Sequence, residues 1–229
     1  MKKSLLFALS VFILLGCGHN DNSVIGPSLQ KSESLIGIYY KVSSSNPIRL
    51  QYNIYQKIGA TCDLLINFPP EGPERYDLNT MRKLYDDTHF NSYFGIPGGY
   101  SVYGNDFTAV DLISDTDFNG IKAGESLGGV VKLLALSPYR WLTSGSKVTF
   151  DWNQYNDDLF LSCIEKTIAQ LFPVNGFLKD LTAEDLKLLE TRPLQLYFTE
   201  LPSIKEHTLT ITFYEGESSY AASTKVVFE

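Results

Sequence analysis

The feature that most constrains this chain is a strict alternation near its end. Leu209, Ile211 and Phe213 are separated by Thr208, Thr210, Thr212 and Tyr214. Successive side chains of a strand point to opposite faces, so this pattern gives one apolar face and one hydroxyl-rich face. A helix would scatter the same residues around its circumference and bury threonine with leucine. The spacing therefore predicts a half-buried strand over His207 to Glu215. Strand-length segments lie on either side, Pro193 to Glu200 and Ala222 to Phe228, and Glu215-Gly216-Glu217-Ser218-Ser219 supplies a turn before the second.

The same texture recurs upstream. Leu35 to Val42 is rich in β-branched and aromatic residues. In Ile48 to Tyr55, Ile48, Leu50, Tyr52 and Ile54 alternate with Arg49, Gln51 and Asn53. Ala60 to Phe68 is a further strand, stopped by Pro69-Pro70, and Phe107 to Ile113, Val130 to Leu136 and Lys147 to Trp152 follow. Helical spacing is confined to short pieces. Met81, Leu84 and Tyr85 fit a helix over Thr80 to Asp87. Asn156 with Asp157-Asp158 reads as a cap before Leu159, Cys163, Ile164, Ile168 and Leu171, and Thr182 to Asp185 has the form of a capping box. Eight or nine strands with turns between them predict a mainly β domain, an immunoglobulin-like or related antiparallel β-sandwich with one or two short helices.

The first residues read differently. Met1-Lys2-Lys3 precedes an apolar run from Leu5 to Leu15, then Gly16-Cys17. About eleven apolar residues suit a signal-peptide core, whereas a spanning helix needs about 20. Leu14-Leu15-Gly16-Cys17 resembles the lipobox of bacterial lipoprotein precursors. That resemblance implies diacylglycerol on the Cys17 sulfur, cleavage after Gly16 and acylation of the new amino terminus. The expected organisation is a signal peptide over 1–16, a lipidated tether over 17–34 rich in Asn, Asp, Ser and Gly, and a single β-sandwich domain over 35–229. Gly18 after the lipidated cysteine fits transfer to the outer membrane, facing either periplasm or medium.

Loss of Lys2 and Lys3 with the leader lowers Lys plus Arg from 19 to 17 against 26 Asp plus Glu, a formal charge of −9. So acidic a chain is a poor partner for nucleic acid or for anionic lipid, which leaves the acyl chains as the membrane contact. Beyond the cytoplasm thiols commonly pair, so Cys62 and Cys163 are expected to form a disulfide. The alternative is two buried thiols packed as small apolar side chains.

The lipobox leader, the acidic tether, Asp115-Thr-Asp-Phe-Asn-Gly120 and the ending Leu196-Tyr-Phe-Thr-Glu-Leu-Pro202 with two further strands together resemble uncharacterised envelope lipoproteins of Bacteroidetes. The resemblance implies an envelope setting and a mostly β domain, and carries no chemistry with it.

Four patterns bear on chemistry. Asp115, Asp117 and Asn119 place oxygens at positions one, three and five of a loop that Gly120 turns, as calcium loops begin. The twelfth position is Ser126 rather than Glu, so this is no EF-hand. It is either a calcium turn of another kind or a polar turn bonded to its own backbone. Gly124-Glu-Ser126-Leu-Gly128 matches the nucleophile-elbow spacing, but it follows no core strand, and a glycine-rich turn is the competing reading. His89 and His207 stand far apart without metal-ligand spacing, and Asp86-Asp87 and Asp157-Asp158 are adjacent rather than set across a cleft. Aromatic residues are the remaining signal. Tyr93, Phe94, Tyr100 and Tyr103 cluster in the glycine-rich loop from Asn91 to Asp106, and Tyr139 and Trp141 follow Pro138. Tyr100, Tyr103 and Trp141 are the candidate binding residues, for a glycan or an envelope protein, with core filling as the alternative. A non-enzymatic binding or interaction module is the expected function. A carboxylate-based hydrolase and a fimbrial-type structural subunit are the alternatives, and no cofactor is expected unless calcium binds.

Overall fold

The computed structural model describes residues 31–52, 63–67, 74–90, 92–93, 99–192 and 194–228. Among them the strands are β1 (Lys31–Ser32), β2 (Ile36–Tyr40), β3 (Arg49–Tyr52), β4 (Asp63–Asn67), β5 (Ser92–Tyr93), β6 (Tyr100–Tyr103), β7 (Ala109–Ser114), β8 (Val131–Ser137), β9 (Phe172–Phe177), β10 (Leu194–Phe198), β11 (Glu206–Glu215) and β12 (Ser218–Val227). Three short helices accompany them, α1 (Leu78–Leu84), α2 (Tyr139–Thr143) and α3 (Asp158–Cys163), with a 3₁₀ turn at Leu178–Asp180.

The chain is mainly β and builds a β-sandwich. One sheet has the order β3-β4-β10-β8-β9 and the other β12-β11-β7, and every pairing within these two sheets is antiparallel. The alternation in β11 decides how they stack. Leu209, Ile211 and Phe213 turn inward with Val110 and Leu112 of β7, and they meet Leu133, Ala135, Leu194, Leu196 and Phe198 from the larger sheet. Burying one such side chain contributes about 1.5–3 kcal/mol, so this layer carries most of the stability. Phe107 packs on Phe213 with ring centroids 4.8 Å apart and closes one end of the core.

The larger sheet is covered on both faces, which explains why β8 reads as a nearly continuous apolar run. Leu133 and Ala135 enter the sandwich, while Leu134 and Leu136 face Trp152, Phe160, Ile164 and Leu171 on the other side. Lys147 to Trp152 is therefore not a strand. Phe150 and Trp152 are wedged into this aromatic layer, and the Phe150 amide donates to Ala169 O. The helix expected after Asn156 is shorter than its apolar spacing predicts. Asp157, rather than Asn156, caps it by accepting from the Phe160 amide at 2.8 Å. The chain turns extended at Ile164, because Ile164 and Leu171 must both reach the sheet. At Thr182 the capping-box bonds form with Asp185, yet the segment is a turn. Leu188 takes a positive φ of 51° there and drops into the core.

A second, smaller lobe leans on the sandwich. Its core is Leu35, Ile36, Tyr39, Met81, Phe90, Val102, Trp141, Leu142, Phe172 and Leu188. Here β2 pairs with β6 in parallel, the exception to the antiparallel rule expected from the sequence. This lobe is tied by one carboxylate. Asp87 is fully buried and accepts from the Leu35 and Ile36 amides at 2.8 and 3.0 Å, from the Ser34 hydroxyl at 2.6 Å and from the Tyr39 hydroxyl at 3.3 Å. It acts as the hydrogen-bond partner that the start of β2 would otherwise lack. Within the stretch expected to be tether, Lys31 of β1 pairs with Tyr93 of β5.

Candidate functional site

Two of the three aromatic residues singled out from the sequence are not available to a ligand. Tyr103 and Trp141 are 1% and 3% exposed. Tyr103 packs beside Phe107 in the sandwich, and Trp141 meets Phe90 edge-on in the lobe, so both are core residues. Tyr100 is half-buried in β6 with its hydroxyl bonded to Thr167. Cys17 and Cys62 lie outside the described residues, while Cys163 ends α3 and is half-buried.

The Asp115 to Ser126 loop spends its oxygens on the chain itself. Asp115 accepts from the Thr208 amide at 2.7 Å, which holds its carboxyl below the usual range. Asp117 bonds Lys122 Nζ at 2.8 Å and the Ala123 amide at 2.9 Å, and its carboxyl is lowered for those reasons. Asn119 donates to Leu201 O and accepts from the Ser203 amide. The oxygens diverge to separate donors, as in the polar-turn reading, and among the described residues no group of three or more His, Cys, Asp or Glu is placed to hold a metal. Ser126 bonds Asp111 Oδ1 and accepts from the Gly128 amide. The downstream histidine, His207, is instead buried against Ser114 Oγ at 2.7 Å and Ile204 O at 2.8 Å. Among the described residues no histidine bonds Ser126, and the elbow pattern is a turn. The adjacent acids also separate: Asp86 is exposed beside His89, Asp87 is buried, and Asp157 caps α3.

The site that the fold does build is a cleft of about 640 Å³ where the lobe meets the sandwich. Its aromatic lining is Tyr76, Tyr85 and Tyr139. Tyr76 directly precedes Asp77, which caps α1 by accepting from the Thr80 amide, and the Tyr76 amide donates to Tyr39 O. Tyr85 ends α1, stacks on Tyr39 with an interplanar angle of 5°, and stands nearly perpendicular to Tyr139 at 83° with centroids 6.4 Å apart. Tyr139 opens α2, its amide held by Ser137 Oγ. Gly104 lines the cleft because nothing larger fits: a Cβ there would lie 2.7 Å from Tyr76 Cδ2 and 2.9 Å from Met81 Cε. Leu84, 68% exposed, also lines it.

Charge gathers among the same residues. Asp86, Asp106, Glu215 and Lys187 all line the cleft. Lys187 Nζ is 3.0 Å from Asp106 Oδ1 and 5.4 Å from the Tyr139 ring centroid, and the bond to Asp106 raises the lysine above its ordinary range. Glu215 accepts from the Asp106 amide at 2.7 Å, Asn105 Nδ2 at 2.9 Å and the Tyr220 hydroxyl at 2.8 Å. Burial and the nearby Glu215 charge push Tyr76 up to about 12, and burial and Asp106 raise Tyr85, so both rings are neutral at physiological pH. Sequence reasoning noticed Tyr139 and Tyr85 but not their meeting. Segments as distant as Tyr76, Gly104, Tyr139, Lys187 and Glu215 converge only through the fold, and no local spacing marks them. A second cleft of about 600 Å³ between Lys41–Pro47 and the start of β12 is lined mainly by serines, with Tyr220 as its aromatic residue.

Comparison of the chain with protein-family models, with curated proteins and with solved structures finds no match.

Proposed function

We propose that this chain is an outer-membrane lipoprotein, anchored through lipid on Cys17, whose β-sandwich domain is a non-enzymatic binding module for a glycan. The observation that carries the binding reading is the cleft of Tyr76, Tyr85 and Tyr139, three tyrosines from two separate segments with carboxylates and an ammonium beside them. Aromatic faces take the apolar faces of sugar rings, and the flanking polar groups take hydroxyls. Binding is favoured over hydrolysis because the carboxylates are already engaged. Both Glu215 oxygens accept from the chain, and Asp106 is paired with Lys187. A general acid or base needs a carboxyl free to exchange its proton with substrate. The leader and lipobox support the envelope address, and a Cys62–Cys163 disulfide belongs to that same reading.

The test is titration of the full chain in detergent with a panel of oligosaccharides, followed by the same titration of Tyr139→Ala. Saturable binding that weakens at least about tenfold in the variant supports the reading. Absence of binding across the panel, or binding indifferent to Tyr139, removes it. Mass spectrometry of native material tests the anchor, because an unmodified Cys17 thiol is incompatible with it. Thiol labelling of the denatured, unreduced protein tests the disulfide in the same way: a labelled Cys163 rules it out.

A further inference from the structure

The charges lining the cleft say more about the ligand than the aromatic residues do. Asp86, Asp106 and Glu215 line the cleft with one ammonium, Lys187, which pairs with Asp106, so the lining is acidic overall. A ligand bearing a carboxylate or sulfate would be disfavoured by the net negative charge of that lining. A neutral sugar would cover the Asp106–Lys187 pair without offering a charge of its own, so it gains no charge-assisted bond there. An ammonium already sits in the cleft: Lys187 Nζ lies over the face of Tyr139 and against Asp106. The face of an aromatic ring attracts a cation, and a carboxylate beside it adds a charge-assisted hydrogen bond. The perpendicular Tyr85 and Tyr139 rings leave an aromatic corner around that position.

We propose that the cleft selects an amino sugar carrying a protonated amine, and that this amine takes the position held by the Lys187 ammonium, between Asp106 and the Tyr139 ring. The proposal rests on reading the cleft as a glycan site and names the class of glycan. Lys187 then works as a competitor. It neutralises Asp106 until the ligand's own cation displaces it, and the side chain, 26% exposed, has a route into solvent.

The sign of one mutation separates this from a supporting role for the lysine. If Lys187 merely helped to hold the ligand, its loss would weaken binding. If it competes with the ligand amine, its loss strengthens binding. The full chain in detergent is titrated calorimetrically at pH about 6, where amines are charged. The probes are a glucosamine tetramer, its fully N-acetylated counterpart, a neutral glucose tetramer and tetralysine. The glucosamine tetramer is expected to bind at least about tenfold tighter than either uncharged tetramer, and more weakly as salt rises from about 0.05 to about 0.5 M. Lys187→Met is expected to tighten that binding severalfold, and Asp106→Asn to weaken it at least about tenfold. The Asp106 side chain is 64% exposed, and thermal melts establish that each variant is folded. Equal binding of the N-acetylated or neutral tetramer overturns the amine proposal while leaving the glycan reading in place. Tetralysine binding as tightly as the amino sugar, or weaker binding in Lys187→Met, overturns it as well. Failure of every sugar to bind ends both readings.

Discussion

The sandwich and the lobe beside it are held together by different physics. In the sandwich, two antiparallel sheets interlock apolar side chains chosen by period-two alternation, and Leu133, Leu196, Leu209 and Ile211 are completely buried. In the lobe, a two-stranded parallel ladder and two short helices share a smaller apolar core, and one buried carboxylate, Asp87, holds Ser34, the Leu35 and Ile36 amides and Tyr39. The first arrangement spreads its stability over many equivalent contacts. The second adds to a smaller apolar core the hydrogen bonds of one buried side chain, and tyrosines line the border. The cleft lies at the seam between the two, where Gly104, Asp106 and Glu215 meet α1 and α2.

The comparison can be broken at its stronger side first. Phe213→Ala removes a ring packed on Phe107 at 4.8 Å and is expected to cost about 3–5 kcal/mol, read as a fall in the chemical-denaturation midpoint of the whole domain. Asp87→Ala is expected to cost about 2–3 kcal/mol, because it strands the buried Leu35 and Ile36 amides. Its signature is regional: hydrogen exchange rises in β2, α1 and β6 while β8, β10 and β11 keep their protection. Loss of protection in both regions at once would show that lobe and sandwich are one cooperative unit. Gly104→Ala forces Tyr76 aside and is expected to cost about 1–3 kcal/mol while abolishing ligand binding in the cleft.

A pH experiment sharpens the same contrast. Glu190 lies where the lobe joins the sandwich: it bridges to Val102 of β6, and its amide donates to Leu136 O of β8. Burial pushes its carboxyl up to about 8, opposed in part by Arg192. A folded-state value above the unfolded one means that the folded form prefers the proton. The contribution to stability is complete below the ordinary range near 4.5 and is lost as pH rises towards 8. Glu190→Gln is therefore expected to raise Tm above that of the parent chain at pH about 9, by at least about 2 °C, and to give little gain at pH about 4. The smallest effect is expected at the Asp115 to Ala123 turn. Its oxygens already hold backbone amides and Lys122, so millimolar calcium should leave Tm unchanged.

Legibility followed the same division. The alternation in β11, the apolar run of β8 and the turn at Gly216, which takes a φ of 58° between β11 and β12, were readable because a strand encodes its two faces in adjacent residues. Four strands escaped notice: β1 and β5, two residues each and too short to show a period, and β6 and β9. The sequence of β9, Phe-Pro-Val-Asn-Gly-Phe, contains both Pro and Gly, which an edge strand tolerates, and β9 is an edge of its sheet. β6 lies inside a glycine-rich stretch, and its pairing with β2 is parallel and distant in sequence. The Asp115 pattern carried the right residue types for a cation, but the spacing could not reveal that Thr208, Ala123 and Ser203 would supply donors first.

By itself, then, the sequence determined the fold class and the pairing of its last two strands, because both are written in residues that are neighbours along the chain. Which tyrosines were core and which were surface was decided by tertiary structure alone. Tyr103 and Trp141 were drawn inward by the packing of distant strands and helices, while Tyr76, Tyr85 and Tyr139 were left along a cleft that no short stretch of chain contains. An aromatic ring satisfies either environment equally well, so its fate depends on what the rest of the molecule brings to its face.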